Sequence, residues 1–227
     1  MRIRHLLVAV LVPWAVVAQD TSAPPNTLPE SAAGALVRSL DAAQTHAAHV
    51  WRDTAPLNDD GTVNAYIEIA QGDRRKWEFD MGANARAIDR MMPDGLEYPI
   101  AYGFVPQTVS YDGDPFDALV LGPAIAGGQL VRGVIVGLML MEDEKGLDSK
   151  VVLAAVDGRG RPMQELSADD RARIGDYFAR YKAHEPGKSS RVPGWGSSAQ
   201  GLAYVTTTHE FFLKCRQRTA VPCRVPN

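Results

Sequence analysis

Acidic residues are clustered at residues 112–117, which read DGDPFD. Side chains alternate along an extended chain, so we expect Asp112 and Asp114 on one side, with Asp117 returned toward them by the turn at Pro115. Carboxylates this close repel one another unless protons or a divalent cation neutralise them. Because oxygen-only ligand sets favour hard cations such as Mg2+ or Mn2+, the motif predicts a metal site.

A second acidic turn, residues 143–148, follows a long predicted strand and is expected to fold back beside the first. Between residues 104 and 148, seven acidic residues stand against two basic ones, which gives this window a charge of −5. The whole chain of 227 residues carries only −3, with 22% charged residues. That balance supplies no general basic field, so we expect no nucleic-acid partner.

Single basic residues occur around the two acidic turns in strand-like surroundings. They are Lys76, Arg90, Lys150 and Lys182. Ammonium and guanidinium groups suit phosphoryl oxygens better than they suit a metal ion. Clustered carboxylates with separate cations therefore indicate a site for a phosphate compound.

The first 18 residues have the composition of a secretory signal peptide. Arg2 and Arg4 are followed by an apolar run over residues 6–17, which ends at the small residue Ala18. The run is too short to span a membrane, which takes about 20 apolar residues. We expect cleavage after residue 18, no membrane span in the mature chain, and a periplasmic or secreted protein; an uncleaved anchor is the alternative.

Two cysteines occur near the C-terminus, at Cys215 and Cys223. In an oxidising compartment an even pair at this spacing predicts a disulfide, which would tether the tail at residues 214–227. A zinc site would need two further ligands, and His209 is the only histidine near the pair.

The remaining chain divides into a leader with a helical extension, residues 19–63, and a folded domain, residues 64–213. The capping pattern at Thr27 predicts a helix over residues 31–50. Period-2 patterns predict strands at residues 65–69, 76–80, 104–111, 118–121, 130–140 and 150–156. Further helices are expected after Ser167 and over residues 199–213. These elements predict an α+β protein with a mainly β core and helices against it.

Seven short blocks resemble, in order and in approximate spacing, the family I soluble inorganic pyrophosphatases. The blocks are Glu68-Ile69, Lys76-Trp77-Glu78, Asp89-Arg90, Tyr98-Pro99 with Tyr102-Gly103, Asp112 to Asp117, Asp143 with Asp148 and Lys150, and Tyr181-Lys182. The resemblance implies an OB-like five-stranded β-barrel flanked by helices. It also implies hydrolysis of pyrophosphate to two orthophosphates by a metal-activated water, and assembly as a homo-oligomer.

The resemblance assigns roles by position in the motifs. Asp114 would accept the proton of the attacking water. The metal ligands would be Asp112, Asp117, Asp143, Asp148, Glu68 and Glu78, holding several Mg2+ ions for which Mn2+ or Zn2+ could substitute. The substrate phosphoryl groups would bind Lys76, Arg90, Tyr102, Lys150, Tyr181 and Lys182. Tyr98 would support the cavity wall.

Two other functions stay open at this point. A broader phosphohydrolase would act on nucleotides or polyphosphate, although the cation set favours a small substrate held at both ends. A non-catalytic OB-type module would bind oligonucleotides or sugars, and it would need a basic groove with stacking aromatics where this chain has its acidic window.

Overall fold

The computed structural model describes residues 23–217, and its centre is a closed ring of β-strands. The strands are β1 (Val63–Ile69), β2 (Arg75–Asp80), β3 (Ala85–Met91), β4 (Ala101–Phe104), β5 (Asp117–Leu121), β6 (Leu130–Asp143), β7 (Gly146–Leu147), β8 (Lys150–Ala155) and β9 (Ser190–Gly196). The helices are α1 (Glu30–Ala43), α2 (Val50–Asp53), α3 (Ala168–Arg180) and α4 (Ser198–Arg216).

Five strands form the ring in the order β1, β4, β5, β8 and β6, and β6 pairs back onto β1. Within the ring the β5–β8 pairing is parallel and the other pairings are antiparallel. The short strands β7 and β9 extend from β6, while β2 and β3 form a separate two-stranded sheet. The closed ring with helices against it confirms the predicted fold class.

Strand β6 is long enough to pass from one side of the ring to the other. Gly133 pairs with Val63 of β1 and also with Ala155 of β8, so the strand changes partners at this glycine. A β-bulge between Ile135 and Gly137 then bends the strand. Glycine is suited to these positions because a Cβ at Gly133 would lie 2.9 Å from the carbonyl oxygen of Ala154.

The predicted strand over residues 104–111 is wrong. Strand β4 ends at Phe104, and the following residues form a loop that leads to the acidic turn. The side chain of Thr108 fixes this loop, because its hydroxyl donates to the carbonyl oxygen of Val105 at 2.6 Å and accepts from the amide of Phe116 at 2.9 Å. Val105 and Val109 are buried without being in a strand, which explains the misleading apolar pattern.

The predicted N-terminal helix is shorter than expected, because α1 ends at Ala43 and α2 is a separate turn. Pro29 precedes α1 without a side-chain cap, so the capping pattern at Thr27 is not used. The Ser167 cap of α3 is present.

The predicted signal peptide and Cys223 lie outside residues 23–217, so cleavage and the disulfide with Cys215 stay predictions. No helix within that range is long and apolar enough to cross a membrane.

Gly103 of β4 lies where β4 and β1 leave no space for a side chain. An added Cβ would lie 1.8 Å from the carbonyl oxygen of Tyr66 on β1, so the two strands would have to separate. We expect Gly103→Ala to lower the free energy of unfolding by about 3 kcal/mol, measured by urea denaturation. Gly194→Ala on β9 is the control, because its Cβ would meet no heavy atom within 4 Å. Equal midpoints for the two variants would contradict this packing.

Candidate active site

A cavity of about 400 Å3 opens at one side of the ring, between the β2–β3 hairpin, the acidic turn after β4 and the C-terminal end of α3. Twelve of the thirteen side chains predicted for catalysis, metal binding or substrate binding line it. They are Glu68, Lys76, Glu78, Arg90, Tyr102, Asp112, Asp114, Asp117, Asp143, Asp148, Tyr181 and Lys182. The thirteenth, Lys150, lies beneath the cavity floor and is 1% exposed.

The acidic turn is held by its own backbone. The amide of Ser110 donates to the carbonyl oxygen of Asp114 at 2.6 Å, and the amide of Asp114 donates to the Asp112 carboxylate at 3.1 Å. Gly113 has a φ of 96°, a conformation that favours glycine. The chain is therefore a turn rather than extended, and it still brings Asp112, Asp114 and Asp117 to one cavity, as predicted.

Several carboxyl groups of the cavity have raised pKa values. Asp112 and Asp114 open onto the cavity, but its walls shield them from bulk water. This desolvation, followed by repulsion from neighbouring carboxylates, raises the pKa of Asp114 to about 7. Burial also raises the pKa of Asp112, that of Asp148 to about 6, and that of Glu68 well above its ordinary value. The site thus concentrates negative charge that needs neutralisation.

Ammonium groups supply part of that neutralisation. The Lys150 Nζ lies 2.5 Å from Asp117 Oδ2 and 2.8 Å from Asp148 Oδ1. Burial alone would lower the pKa of Lys150, but these carboxylates raise it above its ordinary value. Lys182 Nζ lies 2.5 Å from Asp143 Oδ2, and both residues line the cavity.

The hairpin carries the cations of the other wall. Lys76 and Arg90 are cross-strand partners on β2 and β3, and Lys76 forms an ion pair with Glu78. Arg90 donates to the Glu185 carboxylate at 2.6 Å and also pairs with Asp89. These contacts hold both cations at the cavity edge.

Tyrosines form the apolar wall next to Lys150. Tyr98 is buried against Tyr102 and Tyr177, with ring centroids 5.6 and 5.3 Å apart. Burial, followed by nearby carboxylates and other groups, raises the pKa values of Tyr102 and Tyr181. Both hydroxyls therefore keep their protons and remain hydrogen-bond donors.

Sequence reasoning missed several lining residues. Asp89 beside Arg90 and Lys145 in the second acidic turn were given no role, and Glu185 and Lys188 belong to no predicted motif. Ser39 of α1 also lines the cavity. Proximity to Lys182 was the one available signal for Glu185, whereas nothing local indicated Ser39.

The donor chemistry fits hard divalent cations. Nine carboxylates line the cavity, and neither histidine nor cysteine is among the lining residues. Within residues 23–217 no three acidic, histidine or cysteine side chains already converge as a metal ligand set. Lys76, Lys150 and Lys182 engage carboxylates of the site directly. Metal binding would draw those carboxylates away from the ammonium groups.

A closed β-ring with an acid-lined, cation-edged cavity of this size defines a hydrolase of small phosphate compounds that works with divalent cations. The sequence profile of the inorganic pyrophosphatase family matches residues 65–213. The chain belongs to that family.

Curated relatives and solved structures agree. The inorganic pyrophosphatase of Thermus thermophilus is 40% identical over 150 residues, which is 63% of this chain and 86% of the relative. That of Gluconobacter oxydans is 38% identical over 145 residues, covering 61% and 84%. The Thermus thermophilus crystal structure superposes with a TM-score of 0.67 at 34% identity, over 73% of this chain and 99% of that one. The Coxiella burnetii structure gives 0.65 at 35% identity, over 70% and 99%.

Proposed function

We propose that this protein hydrolyses inorganic pyrophosphate to two orthophosphates with Mg2+ as the working cation. The observation that carries the proposal is that nine carboxylates and five basic side chains line one small cavity. The carboxylates suit several hard cations, and the basic groups suit a small polyanion. An oligonucleotide would need a longer groove with a positive charge along it.

Basic groups approach the substrate volume from two directions. Lys76 and Arg90 come from the hairpin, while Lys182 comes from the end of α3. Each of these two sets of basic groups would bind one phosphoryl group of the substrate. Tyr102 and Tyr181 would donate hydrogen bonds to it, and Lys150 would fix the carboxylates at the cavity floor. Fixed positive charge beside both phosphoryl groups stabilises the negative charge that develops on the leaving phosphate.

Asp112, Asp117, Asp143, Asp148, Glu68 and Glu78 would hold the metal ions. Held by these residues, Mg2+ would supply a water of lowered pKa and charge that neutralises phosphoryl oxygens, so that a nucleophile would be available at neutral pH. Asp114 would take the proton of that water. Within residues 23–217 its carboxylate forms no ion pair, whereas Asp117 and Asp148 both pair with Lys150. Asp112 likewise forms no ion pair in that range, but its carboxylate accepts from the amide of Asp114, so the Asp114 carboxylate is the least engaged of the acidic turn.

A substrate panel separates this proposal from a broader phosphohydrolase. We expect the purified full chain with excess Mg2+ to release phosphate from pyrophosphate at least ~100-fold faster than from ATP or tripolyphosphate, because a small cavity excludes bulkier groups. Initial rates at equal substrate concentration provide the measurement. Faster release from ATP would favour the broader activity, and Mn2+ or Zn2+ in the same assay would rank the working metals.

We also propose that the protein is exported. The support is the basic and apolar composition of residues 1–18 together with the cysteine pair Cys215 and Cys223. In a bacterial host the full chain is expected outside the cytoplasm without its first 18 residues, and its intact mass should change on reduction. An intact N-terminus in the cytoplasmic fraction would contradict export.

Homo-oligomer formation, implied by the family resemblance, stays a prediction that light scattering of the same preparation tests.

A further inference from the structure

Residues 23–62, termed here the N-terminal extension, precede the residues that the family profile matches, yet they pack on the acidic turn. A Cβ at Gly113 would lie 2.6 Å from the Cβ of Ala35 and 3.0 Å from the carbonyl oxygen of Ala32. The hydroxyl of Tyr111 donates to the carbonyl oxygen of Pro25 at 2.8 Å. Helix α1 and the turn that carries Asp112 and Asp114 are thus in direct contact, with no space between them.

The same face of α1 continues to the cavity. Ala32, Ala35 and Ser39 lie three, four and seven positions apart, which is the spacing of one helix face. Ser39 lines the cavity, while Leu36 and Leu40 are buried in a core cluster with Phe212. Helix α1 is therefore anchored in the core on one side and borders the site on the other.

The far end of the N-terminal extension holds the tip of the β2–β3 hairpin. Four hydrogen bonds join the two segments: His46 Nε2 to Gly82 O at 2.6 Å, His49 Nε2 to Met81 O at 2.9 Å, Val50 N to Asn84 Oδ1 at 3.1 Å, and Asn84 Nδ2 to Ala48 O at 3.1 Å. The extension consequently contacts both walls of the cavity.

The hairpin needs such anchors because a two-stranded sheet alone is marginally stable in water. It is not part of the ring, and close to its tip it is attached to β1 through Glu68, whose carboxylate accepts from the amide of Phe79 at 2.7 Å and whose carbonyl oxygen accepts from Arg86. Glu68 and the extension thus both hold the tip end of the hairpin. Lys76 and Arg90 lie near its other end, where the Arg74 guanidinium donates to the carbonyl oxygen of Met92.

We propose that the N-terminal extension is a brace that sets the separation between the β2–β3 hairpin, which carries Lys76, Glu78 and Arg90, and the acidic turn, with Asn84 and Ala35 as its positioning residues. The inference rests on the proposed function, because these walls are the ones assigned to phosphoryl and metal binding. Catalysis of phosphoryl transfer depends on positioning, and a displacement of about 1 Å can cost about 100-fold in rate.

Asn84→Gly tests the hairpin end. Asn84 has a φ of 52°, so glycine keeps the backbone while both amide hydrogen bonds are lost. We expect a fall in kcat/KM for pyrophosphate of about tenfold, mostly through a higher KM, and faster amide hydrogen exchange over residues 75–91. Ala83→Gly is the matched control in the same turn, and it should stay within about twofold of the wild type.

Ala35→Leu tests the other end, because its larger side chain must displace Gly113. We expect weaker binding of Mn2+ alone by calorimetry, and kcat lower by about tenfold in protein that is still folded at the assay temperature. Gly34→Ala is the control, because its Cβ would meet only the Arg38 guanidinium, at 3.7 Å. That variant should bind Mn2+ as the wild type does.

Amide hydrogen exchange and Mn2+ binding test the brace proposal independently of the proposed function, because neither measurement requires turnover. If the wild type does not hydrolyse pyrophosphate, the proposed function is wrong. Amide hydrogen exchange and Mn2+ binding still test whether the extension acts as a brace. The brace is overturned if both test variants match their controls in those two measurements. In an active enzyme it is also overturned if exchange changes while kcat and KM do not.

Discussion

Asp114→Asn is expected to lower kcat for pyrophosphate hydrolysis by about 100- to 10,000-fold, the range for loss of a general base. The amide keeps the size of the side chain and cannot take the proton of the attacking water. Because Asp114 is not assigned as a metal ligand, the affinity for Mn2+ measured by calorimetry should change little. The combination of lost turnover and retained metal binding is what distinguishes a base from a ligand.

Asp176→Asn is the control for that substitution. Asp176 is exposed on α3, where it pairs with Arg180, and it does not line the cavity. The same isosteric change there should leave kcat within about twofold of the wild type. A near-normal kcat for Asp114→Asn would remove this residue from the role of base.

Lys150→Met is expected to destabilise the metal-free protein by about 3 to 5 kcal/mol, because it leaves buried carboxylates without their cation. Lys150 is 1% exposed, and both Asp117 and Asp148 lie within 2.8 Å of its Nζ. Methionine fills most of the same volume, so the loss reflects charge rather than a cavity. Mg2+ should restore part of the stability, since the assigned ligands can then bind a cation.

Urea denaturation in chelator and in Mg2+ measures both effects. Lys214→Met is the control, because that ammonium group is 53% exposed and pairs with Glu210 at the surface. Its cost should not exceed about 1 kcal/mol, with no dependence on Mg2+. If Lys150→Met in chelator were as stable as this control, the ion pairs beneath the cavity would not carry the structure.

The acidic turns and the basic residues around them could be predicted from the residues themselves, whereas the individual roles rest on the family resemblance. Charged residues in apolar strands are costly unless they are paired or used. Lys150 illustrates this: it begins a strand whose residues are all buried, and it pairs with two predicted ligands. Glu68 also lies in an all-buried strand, but its alternating sequence equally fits a side chain that faces solvent, so only the resemblance gave it a role. A mainly β core was also predictable, because short apolar runs separated by turn residues need a closed or covered sheet.

Features that depend on contacts distant in sequence could not be predicted. Strand β3 contains one β-branched residue, Ile88, which is 50% exposed, so only its pairing with β2 makes it a strand. The loop after Phe104 has an apolar pattern but is fixed by Thr108. Ser39 reaches the cavity because α1 packs on the acidic turn, and no local pattern in α1 encodes that partner.

The most direct test is the initial rate of phosphate release from pyrophosphate by the purified full chain, first with saturating Mg2+, then with excess chelator, then with Mg2+ restored. We predict rapid release, its loss in chelator and its recovery, because the carboxylates of the cavity need a divalent cation before the site can accept a polyanion. No release with Mg2+, or equal release in chelator, would contradict a metal-dependent pyrophosphatase.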